Sequence, residues 1–99
     1  MKSKEFAITR NRNFVREYLQ KNPCIDCGND NLVVLDFDHV RGEKLANISK
    51  MVSTGRSLSS LLREIEKCEV RCANCHRIVT HQRRQQERTK EGIDYYEYD

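Results

Sequence analysis

Tryptophan is missing from this sequence, proline occurs once and glycine four times. With only three phenylalanines as well, there is little aromatic volume from which to build a large core. The scarcity of Pro and Gly excludes a polyproline linker, a collagen-like repeat and a Gly-rich flexible tract. Long apolar runs are also missing, which excludes a membrane-spanning helix. The opening residues "MKSKEFAITRNRN" contain no apolar stretch of signal-peptide length. A cytoplasmic, reducing setting with no membrane partner is therefore expected.

What remains is short and polar. Of 99 residues, 37% are hydrophobic, and the mean hydropathy is -0.81. A chain of this size (1–99) forms one domain at most, and so thin a core calls for a staple. Five cysteines are the candidates. Their odd count, with four of the five in two Cys-x-x-Cys pairs, fits a metal site better than a disulfide framework.

Charge is unevenly spread. The formal net charge is +3, but residues 91–99, "EGIDYYEYD", hold four acids and no Lys or Arg. Residues 1–90 carry 18 basic against 11 acidic groups, a net of +7. A polyanion such as nucleic acid is the favoured partner, although a merely soluble basic surface would carry the same charge.

Helical spacing of Phe6, Arg10, Phe14, Tyr18 and Leu19, with Val15 beside them, predicts an N-terminal helix over 4–21. Pro23 ends it, because it lacks an amide donor and disfavours helix at Asn22. "CIDCGNDN" reads as a tight turn with Gly28 at positive φ, 32–39 as a strand, 41–44 as a turn and 45–56 as irregular. In "SLSSLLREIEKC", Ser57 reads as an N-cap and Leu58, Leu61, Leu62 and Ile65 as a buried helical stripe. A short extended "EVR" leads into "CANC", and a third helix runs from Asn74 to about Gly92. The acidic tail, 92–99, is expected to be flexible.

Cys24-x-x-Cys27 and Cys72-x-x-Cys75 each place two thiolates on one tight turn, and two such turns make the closed set that structural zinc prefers. The separation of the pairs exceeds the usual zinc-ribbon spacing. A thioredoxin-like redox pair would need only one of them, inside a βαβ pattern that is missing. Cys68 lies outside the pairs and reads as a small buried hydrophobe.

A zinc tie between 24–27 and 72–75 folds the strand 32–39 back onto the helix after Cys72. Asp38 and His39 then approach His76, one residue past the last thiolate. A carboxylate and one imidazole suit a divalent ion with open positions, and a second imidazole suits a general base. On a basic surface, those are parts for phosphodiester hydrolysis. Taken singly, Asp38-His39 could equally be a strand-end salt pair, and His76 a helix cap.

The ordered set "PCIDCG", "LDFDHVRGEK", "KCEVRCANCHR" and Thr80 resembles the HNH endonuclease family over residues 22–84. It is most similar to the small phage and bacterial branch with a four-cysteine zinc. The resemblance implies an α+β, ββα-metal (treble-clef-like) domain with an added N-terminal helix. It implies Asp38 and His76 as ligands of a catalytic Mg²⁺ or Mn²⁺, and His39 as the base activating water. The substrate would be DNA, nicked or cut to leave 5′-phosphate and 3′-hydroxyl ends. DNA-contacting candidates are Arg41, Lys44, Lys67, Arg77, Arg83, Arg84 and Arg88. The chain would act as a monomer or homodimer, alone or within a larger phage or defence assembly.

One position departs from the family pattern. The middle Asn, which braces the loop and helps orient the base, is Lys67 here. His81 is five residues past His76, about 140° round the helix, and so reads as a surface or phosphate contact. Asp36 reads as a supporting partner or a plain exposed carboxylate. Two rival readings stay open: a non-catalytic zinc module that binds nucleic acid, and a subunit whose nuclease activity needs a partner.

Overall fold

The computed structural model describes residues 3–90. The acidic tail and the expected helix end at Gly92 lie outside the described residues. Helix α1 spans Lys4–Lys21, and Ser3 caps it by accepting from the Phe6 amide at 3.3 Å. At its other end the Asn22 side chain donates to the Tyr18 carbonyl at 2.8 Å, just before Pro23 blocks further helix.

The segment expected as one strand over 32–39 divides in two. Leu32–Val34 forms a 3₁₀ turn, and only Leu35–His39 is strand β1. Asn31 is the cause: its side chain accepts from the Val33 amide at 3.1 Å and its carbonyl from the Val34 amide at 3.1 Å. That local competition overrides the β-branched content. The region expected to be irregular contains helix α2, Ile48–Ser53, which is too short for a periodic pattern to reveal.

Helix α3 spans Leu58–Ile65, with Ser57 capping the Ser60 amide at 3.2 Å as expected. Its buried stripe is rotated from the expected one. Leu58 and Leu62 are 37% and 41% exposed, whereas Leu61, Glu64 and Ile65 are buried. Strand β2, Cys68–Cys72, follows, then helix α4, Ala73–Lys90. The two strands pair antiparallel, with Leu35 opposite Cys72, Asp38 opposite Glu69 and His39 opposite Cys68.

Two small buried clusters sit around this hairpin. One joins Leu19, Cys24, Leu35, Val70 and Cys72; the other joins Ile48, Met51, Leu61, Ile65 and Cys68. Tyr18 and Phe37, with ring centroids 5.9 Å apart, border both. Cys68 is buried as expected, and burial pushes its thiol up to about 11. Among the described residues no helix is long and apolar enough to cross a membrane.

Helix α1 is fastened to the α2–α3 connection by a polar residue. Asn11 is fully buried, donates to the Arg56 carbonyl at 2.9 Å and accepts from the Arg10 guanidinium at 3.1 Å. Asn11→Ala removes one of that carbonyl's two donors, Arg10 Nη2 being the other at 3.0 Å, so urea titration should show a loss of about 0.5–1.5 kcal/mol. An unchanged midpoint would mean that the Arg10 guanidinium alone suffices to hold the connection.

Candidate functional site

Two turns bring four sulfurs together. The Cys24 amide donates to the Asn29 carbonyl at 3.0 Å and the Gly28 amide to the Cys24 carbonyl at 2.9 Å. Gly28, at φ +79°, supplies the left-handed residue this turn requires. The Ile25 amide donates to the Val70 carbonyl at 2.9 Å, docking the turn on β2. Cys72 ends β2 and Cys75 lies in the first turn of α4.

All four Sγ atoms, of Cys24, Cys27, Cys72 and Cys75, lie within 4.8 Å of one another. Those of Cys27 and Cys72 are 3.7 Å apart. A tetrahedral site with Zn–S near ~2.3 Å has sulfur–sulfur edges of about 3.8 Å. The set could therefore hold a metal such as zinc with little adjustment. Burial opposes charge on Cys24, yet amides of Cys72, Cys27 and Asp26 bring its thiol down to about 6. Burial raises the Cys75 thiol, and the sulfurs of Cys72, Cys27 and Cys24 push it the same way. Four thiolates so close repel one another unless a cation lies among them, which suits a dication.

Beside this clasp, strand alternation sends Asp36 and Asp38 toward α4 and His39 toward α3. His76, directly after Cys75, lies between the two carboxylates. Its Nδ1 is 3.3 Å from Asp36 Oδ2 and its Nε2 is 3.5 Å from Asp38 Oδ1. Asp38 is only 4% exposed. It accepts from Arg71 at 2.7 Å and from both terminal nitrogens of Arg83, at 3.2 and 3.1 Å. Burial acts to raise its pKa, but Arg83, His76 and Arg71 hold it below the ordinary value. Arg71 also grips Asp26 at 2.7 Å, tying Asp38 to the first cysteine turn.

His39 belongs to a different network. Its Nε2 is 2.9 Å from Glu64 Oε2, and Glu64 is 1% exposed. Glu64 also accepts from the Leu45 amide at 3.0 Å and from Lys67 Nζ at 2.9 Å. Lys67 donates as well to the Glu43 carbonyl at 2.7 Å. Burial opposes ionisation of Glu64, but Lys67, the Leu45 amide and His39 outweigh it and lower its pKa from 4.5 to about 2. An ionised carboxylate only accepts hydrogen bonds. His39 therefore donates through Nε2–H, which in the neutral ring leaves the lone pair on Nδ1.

Asp38 and His76 thus meet, while His39 turns to Glu64 and not to either of them. His39, His76 and Asp36 nevertheless line one groove. Asp36 is a direct partner of His76. Among the expected DNA contacts, Arg77 and Arg84 line a second groove on α4 with Thr80 and His81, and Lys44 and Arg84 are exposed. His81 Nε2 lies 3.5 Å from Gln85 Nε2. Lys67 turns inward to Glu64 and Glu43, and Arg83 is engaged with Asp38. Arg41 donates to the Glu66 and Cys68 carbonyls and pairs with Glu69 at 3.6 Å. Arg88 is half-buried on α4.

Glu64, Arg71 and Asp26 were not among the residues singled out from the sequence. Glu64 carries a signal in its spacing: it falls three residues after Leu61, beside Ile65 and four before Cys68, on the buried side of α3. No protein-family model, curated protein or solved structure matches this chain.

Two outcomes follow from these networks. Protein purified without chelator should carry one zinc per chain by elemental analysis, and Cys24→Ser or Cys72→Ser should lose it and melt at lower temperature. Metal-free protein with an unchanged melting point would refute the clasp. The acid response of Glu64 also has a definite sign. Its folded pKa lies below its unfolded one, so its stabilisation is whole above pH ~4.5 and disappears as pH falls toward about 2. Wild type should exceed Glu64→Gln in stability at pH 6, with the gap shrinking between pH 4.5 and 2. A constant gap would contradict an ionised Glu64.

Proposed function

We propose that this chain is a zinc-stabilised endonuclease of the HNH type that hydrolyses DNA phosphodiester bonds. The observation that carries the reading is the paired histidines. One imidazole has its tautomer fixed by a buried carboxylate; the other adjoins two carboxylates beside a four-cysteine clasp. The zinc would be held by Cys24, Cys27, Cys72 and Cys75, and a catalytic Mg²⁺ or Mn²⁺ by Asp38 and His76. The divalent ion, when bound, would stabilise charge on the phosphate and on the departing 3′ oxygen.

The rest of the chemistry falls to the chain itself. His39 Nδ1 takes a proton from the attacking water, whose oxygen bonds to phosphorus as the P–O3′ bond breaks. The leaving 3′ oxygen takes a proton from solvent water and the His39 imidazolium returns its own to solvent, giving 5′-phosphate and 3′-hydroxyl ends. Glu64 holds Nε2–H and steadies the imidazolium that forms. Lys67 joins Glu64 to the Glu43 carbonyl, so it braces the 41–45 loop against the base. That is the bracing task of the family's Asn, done by a different residue type.

A second reading has its own support. Asp38 is held by two guanidiniums, as expected of a structural ion pair, and this favours a zinc module that binds nucleic acid without cutting it. Nicking of supercoiled plasmid with added Mg²⁺ or Mn²⁺ separates the two. Wild type should nick, and His39→Ala should fall by a factor of roughly 10²–10⁴. Asp38→Ala and His76→Ala should fall at least as far, and Lys67→Met less. Folded, zinc-loaded wild type that leaves the plasmid intact would favour the binding module. Equal nicking by wild type and His39→Ala would remove His39 as the base.

A further inference from the structure

His76 stands where two cationic recesses meet. One, of about 440 Å³, follows α4 and is lined by Arg77, His81 and Arg84. The other, of about 740 Å³, lies between α1 and α2 over β1, and takes in His39 and Asp36 as well as His76. The sequence offers no hint of this second recess, because its cations come from segments far apart in the chain.

Arg12 and Arg16 line it one helical turn apart on α1, and Lys44 joins them from the loop before α2. All three are exposed, and none forms an ion pair or a side-chain hydrogen bond among the described residues. Val15 and Leu19 share the Arg12–Arg16 face at i, i+3, i+4, i+7 spacing. With Phe37, Ile48 and Val52 they give the recess an apolar floor. The charge ratio also points one way, with three unpaired cations against the one exposed carboxylate of Asp36.

Cations along the wall and an apolar, partly aromatic floor form the combination that takes up single-stranded nucleic acid. Phosphates meet the cations and unstacked bases lie on the floor. A duplex keeps its bases inside and would leave that floor uncovered. We infer that the α1–α2 recess seats an unpaired stretch of the DNA strand, which passes His76 and continues along α4. The inference rests on the nuclease reading only for the choice of DNA as the polymer.

The test is fluorescence anisotropy with a labelled short oligothymidine and a duplex of equal length, across a salt series. The full zinc-loaded chain is used with no added Mg²⁺, so binding is read without turnover. Arg12→Ala/Arg16→Ala should weaken oligothymidine binding about tenfold and flatten the log–log salt slope by about 1.4, for two lost phosphate contacts. Duplex binding should change much less, whereas Arg84→Ala should weaken both. Arg12→Lys/Arg16→Lys should recover most of the affinity, which separates charge from damage to the fold.

Unchanged oligothymidine affinity and slope, an equal loss on the duplex, or wild type that does not bind the single strand would overturn the inference. Its failure is distinct from failure of the nuclease reading. A plasmid left intact while the double variant loses the oligothymidine leaves the recess standing. A plasmid nicked while oligothymidine binding is unaltered removes the recess alone.

Discussion

The rest of the structure depends on the approach of four sulfurs. Cys24 and Cys72 are themselves members of a buried cluster, packed with Leu19, Leu35 and Val70. Apart from them that cluster has three buried apolar side chains, too few to hold together two turns separated by 44 residues of chain. A structural zinc contributes on the order of 10–16 kcal/mol near neutral pH. The whole folding margin of a small domain is about 5–15 kcal/mol. A metal clasp of that strength would be comparable with the total, so the hydrophobic core need only choose the arrangement that the clasp then holds.

The clasp also decides where the charged side chains lie. Cys75 fixes His76 as its neighbour in α4, and the β1–β2 register fixes Asp38 opposite Glu69. Arg71, on β2, links Asp26 of the first cysteine turn to Asp38. The same ladder places His39 on the other side of β1, out of reach of that ion-pair network. The two imidazoles are thereby given different surroundings. His76 faces a carboxylate at each nitrogen, whereas His39 faces one at Nε2 alone. Such a division is what separate ligand and base roles would require.

Much of this was legible in the sequence, and the part that was not has a physical reason. The helix stop at Pro23 and the helix start at Ser57 follow from the missing proline amide and from capping, and the cysteine pairs carry their chemistry in their spacing. Leu32–Val34 misled because an Asn31 side chain two residues away outcompetes β propensity. The face of α3 misled for a deeper reason. Periodicity counts apolar residues, and Leu58 and Leu62 count like Leu61 and Ile65. The helix instead turns Glu64 inward, because His39, Lys67 and the Leu45 amide supply what a buried carboxylate needs. Partners 25 and 19 residues distant leave no trace in a local pattern.

The grip on Asp38 is uneven, and that unevenness bears on both readings of the site. A carboxylate buried to this degree needs cationic partners, since an unpaired buried charge is strongly destabilising. Arg71 is 11% exposed and has further partners in Asp26 and Glu69. Arg83 is 45% exposed and bonds to Asp38 alone among the described residues. Of the two, Arg83 loses less by leaving, because its guanidinium can return to water. In the proposed reaction a divalent cation would take its place on Asp38, keeping the carboxylate compensated while freeing Arg83 for a phosphate. If the chain only binds, the same exposed arm stays on Asp38 and closes the position that an ion would use. The difference between an enzyme and a binding module here comes down to which cation Asp38 prefers.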